Sequence, residues 1–132
     1  MRQSSQKSRA AFWMLIGLIQ LLTIPFQGYV GWWTCNPIGL VLGYLFRNKI
    51  NRPFLAGFLA LSLQWLVYAT YCDIQNDSLL SARISLLFGL PVNRMYAIIL
   101  TALLGGIFMG SLLQTGYFFG KLIAPKSEKG YY

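Results

Sequence analysis

The sequence contains no histidine and only three acidic residues, Asp73, Asp77 and Glu128, against eleven lysines and arginines. Without an imidazole, no hydroxyl or thiol has a base to activate it, and no paired carboxylates fall within an apolar segment to serve as acid and base. The two cysteines, Cys35 and Cys72, lack any metal-site spacing. These absences argue against an enzyme and lead us to expect no catalytic residue, metal or cofactor. Charge of either sign is also scarce, at 11% of residues, where soluble domains carry roughly 25%. What remains is apolar: 56% of the 132 residues are hydrophobic and the mean hydropathy is +0.54. A soluble domain of this size has too little interior to hide that much apolar side chain, so lipid is the expected solvent.

Four apolar runs stand out, at residues 11–27, 30–47, 53–72 and 95–123. A helical span needs about 17–25 residues, so the first two are at the short end. The last would be about 43 Å long at 1.5 Å per residue, enough to tilt or to carry Lys121 out into water. The expected architecture is an all-α integral membrane protein in one domain covering residues 1–132, with four transmembrane helices. Pro25 is expected to stop or kink the first span. No small-x-small cleavage site follows that span, which is therefore taken as uncleaved. Aromatic residues gather where the interfaces should lie, among them Trp13 and Tyr44 at one end and Tyr29, Trp32, Trp33 and Tyr71 at the other.

The charges orient this layout. Nine of the eleven basic residues fall on one side if the chain crosses four times: Arg2, Lys7 and Arg9, then Arg47, Lys49 and Arg52, then Lys121, Lys126 and Lys129. The positive-inside rule puts both termini in the cytoplasm. The net charge of +8 thus needs no nucleic acid to explain it, and basic segments beside a bilayer attract anionic lipid weakly.

The stretch "CDIQNDSLLSARISLLFGLP", Cys72–Pro91, joins the third and fourth spans and carries two of the three acids. Asp77 is placed to cap a short helix over residues 78–89, and Gly89-Leu90-Pro91 to stop it. Its leucines and Phe88 cover one half of the helix, and Ser81, Ala82 and Ser85 the other. An amphipathic helix lying at the outer interface is expected, with Arg83 reaching water or Asp73. The segment acts either as a connector or as a lid.

Three further patterns bear on function. Gly39/Gly43, Gly106/Gly110 and Gly116/Gly120 are small-xxx-small pairs. In the last span Ala102, Gly106, Gly110, Gly116 and Gly120 fall within about 120° around the helix axis, forming one groove. It packs either against Gly39 and Gly43 within the chain or against a partner. Gln20, Asn36, Gln64 and Thr101 lie about 8–12 Å below the outer boundary at 1.5 Å per residue, one potential hydrogen-bonded layer. That layer is either glue between helices or the lining of a solute cavity, and Asn36-Pro37 adds a break in the second span. Cys35 and Cys72 both lie towards the outer face, as small packing residues or as a disulfide. No ionisable residue occupies the centre of any span, where proton-coupled transport usually needs one.

"FLAGFLALSLQWLVYATYCDIQNDSLLSARISLLFGLP" followed by "LTALLGGIFMG" resembles a family of small, uncharacterised four-span inner-membrane proteins of bacteria, best placed among Bacteroidetes. The likeness covers roughly residues 32–120 and implies a bacterial inner-membrane location and the same helical layout; it implies no activity. Asp77 stands where that family suggests asparagine. The function expected is a non-catalytic scaffold, assembly or accessory subunit, bound to lipid and to another membrane protein or a second copy of itself through glycine-lined faces. The alternatives are a homo-oligomeric pore or facilitator for a small solute and, weakest, a lipid-acting enzyme using Asp73 or Asp77.

Overall fold

A proline can begin a helix but cannot sit inside one without costing a hydrogen bond, and two of the five prolines set helix boundaries here. The computed structural model describes residues 2–123, apart from the side chains of residues 2–5, 7 and 32. Lys126, Lys129 and Glu128 lie outside the described residues. The elements are α1 (Arg2–Tyr29), a single 3₁₀ turn (Trp32–Thr34), α2 (Cys35–Leu45), α3 (Pro53–Gln75), α4 (Leu79–Leu87) and α5 (Arg94–Ile123). Pro53 occupies the first position of α3, where no N–H is required. Pro37 falls in the first turn of α2. The Asn36-Pro37 step is therefore a helix start rather than a break within a span, and the chain before it turns as a 3₁₀ segment.

Among the described residues, three helices are long and apolar enough to cross a membrane: Ser8–Tyr29 within α1, α3, and α5. The expected second span is reduced to the 11 residues of α2, about 16 Å at 1.5 Å per residue, against a hydrocarbon layer of about 30 Å. Pro25 does not stop the first helix, which runs four residues beyond it to Tyr29.

Side-chain and backbone contacts give the helix directions. Along α5, Gly110 meets Phe54 and Gly106 meets Phe58, so α3 runs antiparallel to it. Gly39 lies on Leu112, Leu40 on Gly116, and Tyr44 and Arg47 on Gly120, so α2 runs parallel to α5. Gln20 bonds Ala60 and Thr23 bonds Gln64, so α1 runs parallel to α3. The direction thus alternates from α1 to α2 to α3 to α5. The core where they meet contains Leu15, Ile19, Cys35, Leu42, Ala56, Ala60, Leu61, Met109 and Leu113, all essentially inaccessible.

The glycine groove of α5 is filled within the chain by two helices in succession. A carbon added at Gly106 or Gly110 would meet the carbonyl of Phe58 at 3.0 Å or Phe54 at 2.9 Å, both on α3. Farther along, Gly116 faces the Leu40 carbonyl, and Gly43 of α2 faces the Leu113 carbonyl. Gly57 completes the seam, with Met109 O 2.7 Å from where its β-carbon would be. Ala102, nearer the start of α5 on the same groove, is buried too. Backbone atoms cannot swing aside as side chains can, so these positions exclude anything larger. Gly43→Ala should cost about 1–3 kcal/mol, the range for overpacking. Gly17→Ala, on α1 with open space beside it, should be neutral or stabilising by up to about 1 kcal/mol, since glycine in a helix interior costs about 0.5–1 kcal/mol relative to alanine. Thermal denaturation of the two variants in one detergent reads the contrast.

Candidate functional site

At the end of the bundle opposite the Arg47–Gly120 contact, α3, α4 and the start of α5 surround a cavity of about 400 Å³. Its walls come from Ala69 and Tyr71 on α3, Leu80 and Ile84 on α4, and Ile98 and Thr101 on α5. Helix α4 lies over it, held by a chain of polar contacts. Asp73, at the end of α3, is buried, and its carboxylate accepts hydrogen bonds from the hydroxyls of Ser78, at 3.0 Å, and Ser81. The Ser78 backbone N–H also donates to the Asp73 carbonyl, at 3.0 Å. Ser85 donates to the carbonyls of Ser81, at 2.9 Å, and Asn93, at 3.0 Å. Asn93 Oδ1 in turn accepts the Met95 N–H at 3.0 Å and caps α5.

The reversal between α3 and α4 needs two consecutive left-handed residues, Asp77 (φ 47°) and Ser78 (φ 58°). Aspartate tolerates that conformation better than most residues. Asp77 is therefore a turn residue and not the cap of α4; Ser78 stands at the cap position without a side-chain cap bond, and Asp73 holds the helix start through the hydroxyls of Ser78 and Ser81. The far end of α4 closes on Gly89 at φ 66°. Gly89 N–H bonds Leu86 O at 3.0 Å and Leu90 N–H bonds Ser85 O at 2.9 Å, the paired bonds of a Schellman motif.

The faces of α4 are opposite to a water-facing amphipathic helix. Ser81 and Ser85 are buried, whereas Leu79, Leu80, Leu86, Leu87 and Phe88 are exposed. Arg83 is exposed and makes no ion pair with Asp73, whose two oxygens are taken by serines.

The four residues expected to form one polar layer divide into separate places. Gln20 and Gln64 do sit on one seam, between α1 and α3. Gln20 Nε2 lies 3.4 Å from Ala60 O, and Gln64 accepts from Thr23 at 2.6 Å and donates to Gln27 at 2.8 Å. Thr23 also lies 2.7 Å from Ile19 O and is fully buried. Thr101 bonds only its own helix, at Ala97 O, and lines the cavity under α4. Asn36 lies in the first turn of α2, away from both. Thr23, Gln27 and Asn93 are not among the residues expected from sequence, whereas Ser81 and Ser85, at i, i+4 on one face of α4, form the face that the structure buries. Cys35 is fully buried and Cys72 is exposed; both are free thiols.

A hydrogen bond to a charged group contributes about 1.5–3 kcal/mol. Asp73→Ala removes the acceptor for two hydroxyls and should loosen α4, raising amide hydrogen exchange over residues 79–87 by at least tenfold. Asp77→Asn, at an exposed turn position whose left-handed backbone asparagine also tolerates, should leave that exchange within about twofold.

Comparison with protein-family models, curated proteins and solved structures yields no significant match.

Proposed function

We propose that this chain is a non-catalytic subunit of the bacterial inner membrane that crosses four times and associates with another membrane protein. The observation that carries it is the division of α1 into two faces. Leu15, Ile19 and Thr23 are buried against the bundle, while Trp13, Met14, Gly17, Leu21, Ile24 and Gly28 form the opposite half and are exposed. Gly17 and Gly28 have nothing near the place of a β-carbon. Lipid supplies no hydrophobic drive between helices, so faces with small residues are where a second helix approaches closely. The glycines of α2 and α5, expected to serve a partner, are occupied within the chain. The partner surface therefore moves to α1.

The four-crossing layout is supported by the alternating helix directions and by the placement of charge. Arg9 stands beside Lys49 and Arg52, and Arg47 beside Gly120 near Lys121, so basic residues from three segments share one end. With positive residues inside, both termini are cytoplasmic. Helix α2, with the turn before it, then makes the second crossing, more thinly than a full-length span. The polar groups between α1 and α3 bond one another, which favours glue over a conduit. Asp73, with both oxygens engaged, has a structural part to play.

The test is cysteine crosslinking in native membranes, with Cys72→Ser as background. Gly17→Cys and Gly28→Cys should each give a discrete crosslinked product, and Ala60→Cys, buried in the core, none. A product of twice the chain mass would instead identify a homo-oligomer, the arrangement a pore requires. No product at either exposed position would end the subunit assignment.

A further inference from the structure

We infer that the basic end of the bundle holds a binding site for the phosphate group of an anionic phospholipid, a site resting on the membrane assignment above but independent of any protein partner. Between the start of α1 and the loop joining α2 to α3 lies an open basin of about 1120 Å³. Three cations, Arg9, Lys49 and Arg52, line it. They come from two segments far apart in sequence, so the fold concentrates them.

None of the three is neutralised by a carboxylate among the described residues. Lys49 Nζ lies 5.7 Å from the centre of the Phe46 ring, a contact that leaves its charge unpaired. The described acids, Asp73 and Asp77, are at the far end of α3. At 1.5 Å per residue, Asp73 is about 31 Å along the helix from Arg52, well beyond the roughly 8 Å over which charge acts at physiological salt. Asn48 and Asn51 add neutral amides to the same rim, donors of the kind that complete a phosphate's hydrogen bonds. Arg47 is excluded from this set, since it bonds the Tyr44 carbonyl at 3.1 Å and stacks on the Tyr44 ring.

The walls distinguish a lipid from a free phosphate. Ala11 and Ile50 are buried beneath the basin, and Trp13, 66% exposed, stands at its edge. Tryptophan favours the headgroup level of a bilayer. A dissolved anion gains nothing from an apolar wall and an interfacial ring. A phospholipid uses both, setting its phosphodiester among the cations while its acyl chains follow α1.

The test reconstitutes the full chain in nanodiscs of phosphatidylcholine containing a minor share of phosphatidylglycerol, and counts retained lipids by native mass spectrometry. Each cation near a surface is worth on the order of fivefold in affinity for anionic lipid. Wild type should retain phosphatidylglycerol over phosphatidylcholine by at least tenfold. The triple variant Arg9→Gln/Lys49→Gln/Arg52→Gln should fall to near parity. Arg83→Gln/Arg94→Gln, altered outside the basin, should keep the wild-type preference. Arg9→Lys/Arg52→Lys keeps the charge and should also retain it, which guards against a folding defect in the triple variant. Equal retention of the two lipids by wild type, or a preference that survives the triple change, overturns the site. Displacement of the lipid by millimolar inorganic phosphate would reassign it to a soluble anion. A wild-type chain that does not enter nanodiscs at all contradicts the membrane assignment, a failure distinguishable from loss of lipid preference.

Discussion

Close backbone approach along α5 is the interaction on which the rest of the bundle depends. Where hydrocarbon surrounds a protein, leucines gain little by leaving one apolar medium for another, and helices associate through contact area and hydrogen bonds. Removing the β-carbon is the most direct way to increase that contact. At Gly43, Gly57, Gly106, Gly110 and Gly116, backbone lies where a side chain would otherwise stand. Cα–H groups set against carbonyls in this way contribute about 0.5–1 kcal/mol each. Because α3 covers the first part of the groove and α2 the rest, one 30-residue helix organises two shorter ones. The length of α5 therefore serves as a platform as well as a crossing.

Polar side chains fill the complementary part. With few charges available, the interior is fastened by hydroxyls and amides: Thr23, Gln27 and Gln64 between α1 and α3, and Asp73, Ser81, Ser85 and Asn93 between α3, α4 and α5. The second group fixes α4 across the cavity at one end, while the other end carries unpaired positive charge. The molecule is thus polarised along its axis, with a buried acid at one end and a basic basin at the other.

Much of this was legible from residue type and spacing. Three of the four apolar runs fall within α1, α3 and α5, α1 beginning nine residues before its run, since length and hydropathy suffice to identify a long apolar helix. The glycine spacing located the face of α5 that packs, but not which helix fills it, because the same pattern suits an internal neighbour or an external one. The second run holds only the 11 residues of α2, since hydropathy is blind to Pro37, which sets the start of α2 and leaves the preceding residues to a 3₁₀ turn. The leucine and serine faces of α4 were evident, yet that the serine face packs on Asp73 and Asn93 is not written in the segment. Asp77 proved a turn residue rather than a cap, and the bonds from Ser78 and Ser81 to Asp73 depend on the reversal at Asp77 and Ser78. Gln20 and Gln64 lie on one seam between α1 and α3, whereas Thr101 bonds its own helix and Asn36 lies in the first turn of α2.

The register of α2 and α3 against α5 is the central claim, and disulfide trapping measures it most directly. Cysteine pairs are introduced in place of Tyr44 or Trp65, each with Gly105 or Gly120, positions where the neighbouring atoms are chiefly side chain, after Cys35→Ala and Cys72→Ser remove the native thiols. On this account mild oxidation joins position 44 to 120 and position 65 to 105, and neither crossed pair forms. Joining of 44 to 105 or of 65 to 120 would contradict the account, because it would reverse the directions in which the two helices run along α5.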